Sequence, residues 1–241
     1  MIRRGALSII ILLLLWQIVV LISHVPSYFL PTPWAIAQTL WASKALLWQA
    51  MWVTVAEALL GWSSAFICGC LLALVIVGFR PAKHWLLPIV LMSQALPTFA
   101  LAPLFVVWLG YGMVSKVAVA LFVLFFPITL AFYDGLKRTP ILWQEQAQIM
   151  GASRWRMLRY IAIPAALPNL ASGLRMAAVW APMAAVIGEW VGASHGLGFL
   201  MIEANARIDM TGLFAAIFVL VVITGILYSA VDYSLRRLIF W

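Results

Sequence analysis

TPILWQEQAQIMGASRWRMLRYIAIP, residues 139–164, holds the densest local signals in the chain. Thr139 is placed to cap a helix whose first turn accepts Pro140. That helix is expected to run to about Met150. Gly151 then stops it, because glycine enters the left-handed conformation at no steric cost. Ser153 caps a second helix through Arg154, Trp155, Arg156 and Arg159, expected to end near Pro164. The result is two short helices bent at a glycine inside a basic connection spanning 136–165. A loop that served only as positive charge would have no need of an elbow.

The surroundings of this connection are far from water-soluble. Of 241 residues, 66% are hydrophobic and 9% charged. A soluble domain carries roughly 25% charged residues to wet its surface. A soluble fold, a disordered chain and a disulfide scaffold are therefore excluded, and Cys68 and Cys70 both lie in an apolar run. Lipid is the natural solvent. The basic excess, 15 Lys+Arg against 7 Asp+Glu, fits loops of a membrane protein better than a nucleic-acid surface, for which no basic helix face exists.

A spanning helix needs about 20 mostly apolar residues. Six such stretches are expected, at approximately 6–23, 52–79, 86–109, 114–135, 166–189 and 211–233. The first comes after Arg3 and Arg4 and is read as a retained helix rather than a leader. With both termini on the cytoplasmic side, Arg3, Arg4, Arg80, Lys83, Lys137, Arg138, Arg154, Arg156, Arg159, Arg236 and Arg237 face inward. Only Lys44, Lys116 and Arg207 face outward, as the positive-inside rule predicts. The chain is thus all-α and polytopic, one transmembrane domain over 1–241. An outer segment, 24–51, contains Thr32 and Pro33 as a helix start. The stretch from Ala35 through Trp41 to Trp48 reads as a helix at the membrane interface.

Small residues four apart mark where helix backbones approach in lipid. Gly61, Ala65, Gly69 and Ala73 form one such stripe; Gly173, Ala177, Ala181 and Ala185 form another. In the third expected span, Pro97 and Pro103 each remove a backbone hydrogen bond, which is tolerated beside protein or a water-filled cavity. Gln94 and Thr98, four apart, and Trp180 and Met183 at similar depth are candidates to line a path, with Glu57 further out. Arg175 is expected to snorkel or pair across helices, and Asp232 to pair with Arg236. No phosphate-binding Gly-x-x-x-x-Gly-Lys-Ser/Thr loop and no clustered metal ligands occur, the histidines 24, 84 and 195 being far apart. Ser194-His195 lacks an orienting acid, so catalysis by this chain is not expected.

Glu145-Gln146-Ala147, Gly151 six residues after the glutamate, and Ile161-Ala162-Ile163-Pro164 resemble the EAA signature of bacterial ABC-importer permeases. The spacing agrees throughout; Gln146 and Ile163 replace the usual Ala and Leu. Phe29-Leu30-Pro31-Thr32-Pro33, Trp108-Leu109-Gly110-Tyr111-Gly112 and the run from Glu189 to Gly198 resemble the branch serving nitrate, sulfonate, taurine and thiamin-pyrimidine uptake. The stretches Gln94 to Pro103 and Glu203 to Arg207 look most like permeases for hydroxymethylpyrimidine-type thiamin precursors.

The resemblance implies a type I importer fold in the bacterial inner membrane and a second copy of the chain. It also implies two ATP-binding subunits, which hold ATP and Mg, and a periplasmic or lipid-anchored substrate-binding protein. No cofactor is implied on this chain. Glu145, Ala147, Gly151, Ala152, Arg156 and Pro164 would couple it to the ATPase. Glu189 and Arg207 would help receive the binding protein. The same machinery for taurine, alkanesulfonate or nitrate is the alternative solute assignment. An ion-coupled carrier is the remote one, since paired intramembrane acids and inverted repeats are not found in the sequence.

Overall fold

The computed structural model describes residues 2–23, 26 and 28–239, with the side chains of residues 2–10 and of Arg80 outside that description. The inward placement of Arg3, Arg4 and Arg80 and the position of His24 therefore fall outside the described residues. Every regular element among the described residues is helical. The order is α1 (Ile2–Ser23), α2 (Pro33–Ala42), α3 (Lys44–Gly78), α4 (Arg80–Ser93), α5 (Thr98–Leu109), α6 (Met113–Lys137), α7 (Ile141–Ile149) and α8 (Arg154–Met157). A π-turn (Leu158–Ala162) comes next, then α9 (Ile163–Gly192), α10 (Leu197–Ala206) and α11 (Met210–Leu238).

Among the described residues, α3, α6, α8 to α9, and α11 are long and apolar enough to cross a membrane. The third expected span is not one straight helix. It is α4 and α5, bent by 104° about residues 94–97. The α-helix ends at Ser93, a turn with i→i−3 bonds carries the chain to Leu96, where the following proline disfavours helical geometry, and helix resumes after Pro97. Pro103, Pro127, Pro168 and Pro182 sit inside helices that continue through them. The first expected span, 6–23, falls on α1, whose described apolar part, Ile11–Ser23, is shorter than a full span.

The long helices are built around α6. Gly61, Ala65, Gly69 and Ala73 are all buried on α3, and Gly173, Ala177, Ala181 and Ala185 on α9. A Cβ at Gly61 would collide with Ala120 of α6, and one at Gly173 would lie 2.8 Å from the Pro127 carbonyl oxygen. Both stripes thus serve the close packing that lipid-immersed helices need, where dispersion rather than water exclusion drives association. The Trp62 indole N–H donates to the Leu174 carbonyl at 3.2 Å and ties α3 to α9.

Thr32 caps α2 as expected, accepting from the Ala35 N–H at 3.1 Å. The expected interfacial helix reaching Trp48 is shorter than its sequence suggested. The chain turns at Ser43, and Trp48 already belongs to α3, which begins eight residues before the expected span. Trp41 and Trp48 are both exposed, and the Lys44 ammonium lies 4.3 Å from the Trp41 ring centroid. Amphipathic rings of this kind favour the level of lipid headgroups.

Candidate functional site

The elbow forms where the local signals placed it. Gly151 has φ of +73°. Its N–H donates to the Gln148 carbonyl at 2.9 Å, and the Ala152 N–H donates back to the Ala147 carbonyl, also at 2.9 Å. A 6→1 bond closing over a left-handed glycine is a Schellman stop, and it satisfies carbonyls that α7 would otherwise orphan. Ser153 caps α8 by accepting from the Arg156 N–H at 3.4 Å. Two details differ from expectation. Thr139 does not cap α7, because its hydroxyl donates to the Leu136 carbonyl at 2.9 Å and Pro140 occupies the cap position. Pro164 does not end a helix; it lies in the first turn of α9. Its missing N–H and its ring disturb the preceding turn, and the backbone widens there, the Ile163 N–H reaching the Leu158 carbonyl.

Of the six coupling candidates, Ala147 is buried, Ala152 and Pro164 are half-buried, and Glu145, Gly151 and Arg156 are exposed. Between them the elbow presents Ile149, 86% exposed, and Met150, 85% exposed. Ile141, Leu142 and Trp155 add to this apolar surface. Sequence reasoning singled out the acidic and glycine positions and missed these apolar ones. Behind α7, a groove of about 640 Å³ runs between the elbow and α9, lined by Arg138, Trp143, Gln146 and Tyr160 among others.

At the opposite end of α9 lies a cavity of about 550 Å³ bounded by α5, α9, α10 and α11. Phe99 and Trp190 meet edge to face on its wall, ring centroids 6.2 Å apart. Val191, Met201, Ile202, Leu213 and Ile217 complete an apolar wall, and Asn205 is the one amide among its described lining residues. None of Gln94, Thr98, Trp180, Met183 or Glu57 lines it. Gln94 and Thr98 sit on either side of the 104° bend, so they do not share a helix face as their spacing suggested. Trp180 and Met183 lie with Met176 on the exposed stripe of α9, which Trp190 continues to the cavity.

Two intramembrane carboxylates are withdrawn from their expected places. Glu57 is 0% exposed, and its Oε1 accepts from the Lys116 ammonium at 2.7 Å. It is sealed in a helix contact rather than set on a path. Lys116 is 8% exposed inside α6, not in an outer loop. A buried charge needs a partner, and this pair supplies one for each. Glu189 is 1% exposed and accepts from the Thr54 hydroxyl at 2.6 Å, which takes it off any surface where a binding protein could land. Arg207 remains exposed and pairs with Glu203 on the same helix end. Arg175 pairs across helices with Asp232 at 2.7 Å, and Asp232 also holds Arg236 at 2.8 Å, both as expected.

The family described as "Binding-protein-dependent transport system inner membrane component" matches residues 65–240. A probable ABC transporter permease protein of Haemophilus influenzae is 46% identical over 229 residues, covering 95% of this chain and 94% of that one. The formylaminopyrimidine transport permease of Halalkalibacterium halodurans is 35% identical over 234 residues, covering 97% and 93%. The riboflavin transport system permease of Chloroflexus aurantiacus is 36% identical over 236 residues, covering 97% and 88%. In fold, the chain resembles a subunit of the inward-facing MetNI methionine ABC transporter, with a TM-score of 0.66 at 21% identity over 81% of this chain and 97% of that one. The exposed elbow, the small-residue helix packing and these likenesses converge: the chain belongs to the binding-protein-dependent transport family and is an inner-membrane permease subunit of an ABC importer for a small solute.

Proposed function

We propose that this permease carries a planar nitrogen heteroaromatic, with a hydroxymethylpyrimidine-type thiamin precursor as the best assignment. The observation that carries the reading is the cavity of about 550 Å³ walled on one side by the Phe99–Trp190 aromatic pair, with Asn205 in its lining. Two ring faces and edges around a single amide suit a flat, uncharged solute that stacks and makes one or two hydrogen bonds. Two relatives at 35% and 36% identity are named for a pyrimidine and a flavin, both planar nitrogen heterocycles. The alternative solutes each present an anionic group: the sulfonate of an alkanesulfonate or of zwitterionic taurine, or nitrate itself. Such a solute would call for a cationic lining, and the described cavity residues include none.

In this reading the solute enters at the cavity end and descends along the α9 stripe of Trp180 and Met183, enclosed by a second copy of the chain. Two ATP-binding subunits, each holding ATP and Mg, dock on the elbows. Their support is the apolar surface of Ile149, Met150 and Trp155 next to Glu145 and Arg156. Uncovered apolar area of this kind at the water-facing end marks a protein interface. Hydrolysis belongs to those subunits and not to this chain. A periplasmic or lipid-anchored binding protein delivers the solute at the far end, near Arg207.

The test is reconstitution of the permease with its ATPase and binding protein in vesicles. ATP hydrolysis and uptake should be stimulated by hydroxymethylpyrimidine or formylaminopyrimidine and not by taurine. Stimulation by taurine alone would overturn the solute assignment and leave the permease assignment standing.

A further inference from the structure

Helix α10 begins without a cap of its own. Gly196 precedes it with φ of +119°, has no side chain, and could not carry one, since a Cβ there would run into the Glu189 carboxylate. Leu197 and Gly198 are buried, so water does not serve their N–H groups. An unserved donor in such a place is costly. Other helices supply the acceptors. The Leu197 N–H donates to Thr54 Oγ1 of α3 at 2.9 Å. The Gly198 N–H and the Phe199 N–H, the latter at 3.3 Å, both donate to Glu189 Oε2 of α9. The Thr54 hydroxyl donates in turn to Glu189 Oε1. From Leu200 onward the helix serves itself, through a bond to the Gly196 carbonyl at 3.1 Å. Glu57, three residues beyond Thr54 on α3, holds Lys116 of α6 at 2.7 Å and adds a fourth helix to the same sealed polar knot.

Further along α10, at i+4 and i+7 from the capped Gly198 and so on the same helix face, Ile202 and Asn205 line the cavity together with Phe99 and Trp190. We infer that Thr54 and Glu189 are positioning residues for transport: they cap α10 from outside and fix Ile202 and Asn205 on the solute's route. The inference rests on the cavity being that route. Neither side chain touches the solute. Their effect passes through the helix they hold.

The experiment compares Thr54→Ser, which keeps the hydroxyl, with Thr54→Val, which keeps the shape and loses it, in the complex with its ATPase and binding protein. Hydrogen exchange at residues 197–199 and the KM and kcat of uptake are read together. Loss of one buried bond accelerates exchange at Leu197 about tenfold in Thr54→Val. Uptake KM rises by a similar factor while basal ATP hydrolysis holds, and Thr54→Ser stays within about twofold of the parent on every reading. Glu189→Met, which keeps the length and has no oxygen to accept at either position, is the second variant should Thr54→Val fail to assemble; it should accelerate exchange at Gly198 and Phe199. Unchanged exchange in these variants overturns the cap. Faster exchange with parental KM overturns its role in transport. Asn205→Leu separates the underlying reading: unchanged KM there overturns the cavity as route whatever the exchange data show.

Discussion

Glu57 and Lys116 meet at 2.7 Å across 59 positions of sequence, joining α3 to α6 where both side chains are buried. Removing one partner strands the other charge, which costs about 3–5 kcal/mol in a buried pair, whereas removing both costs far less. Lys116→Met should therefore lower the thermal unfolding midpoint of the detergent-purified complex sharply. The double variant Glu57→Gln, Lys116→Met should recover most of that loss. A single variant as stable as the parent would show that the pair contributes nothing.

Gly151 stands in the left-handed region, and a Cβ at that position would meet no atom within 4 Å. Substitution there costs only backbone strain, about 1–2 kcal/mol for most residues. Gly151→Asp should leave the chain inserted and folded while uptake stops, because the added charge lies on the surface proposed to seat the ATPase. Gly151→Asn, which tolerates this geometry better and adds no charge, should retain more uptake. Co-purification of the ATP-binding subunit, measured alongside uptake, separates failed docking from failed coupling.

Gly61 and Gly225 make a contrasting pair of substitutions. A Cβ at Gly61 collides with Ala120, while one at Gly225 on α11 meets nothing within 4 Å. Gly61→Val should cost about 1–3 kcal/mol through overpacking. Gly225→Ala should be neutral or gain about 0.5–1 kcal/mol from reduced backbone freedom. Unfolding midpoints of the two variants, measured in the same detergent, check the sign of each.

Asp209 caps α11 just before the span begins. The Thr211 hydroxyl, at 2.6 Å, and the Gly212 N–H, at 3.0 Å, hold its carboxyl below the usual aspartate range. A lowered folded-state pKa means that the cap's contribution is fully present above the unfolded value, near 3.9. It is lost as pH falls through the folded one. Asp209→Ala should cost about 1 kcal/mol at neutral pH. The gap between variant and parent should close only in the acid range below about pH 4. A gap that closes between about pH 5 and 7 would assign the effect to another group.

The elbow was legible because its determinants are local: a glycine that must turn left-handed and a serine that caps within three residues. The small-residue stripes were legible for the same reason, their period being that of one helix face. The bend at residues 94–97 was legible only as two prolines with freed carbonyls, since Pro103, Pro127, Pro168 and Pro182 show that proline alone does not break a helix here. Lys116, Glu57 and Glu189 were misplaced because each is defined by a partner far along the chain. A lone charge near a span end reads as a loop residue until its counterion is known. The cavity was missed for a related reason: Phe99, Trp190 and Asn205 come from three helices whose assembly depends on that bend.

The run from Arg154 to Gly192, 39 residues, is one continuous helical rod whose first turns are widened by the π-turn at Leu158–Ala162. At 1.5 Å per residue it reaches ~58 Å, so a tilt of about 10° at the base sweeps the tip by ~10 Å. By that geometry a small stroke at the elbow end would be magnified at the far end of the rod, with no need for the stem to melt or refold.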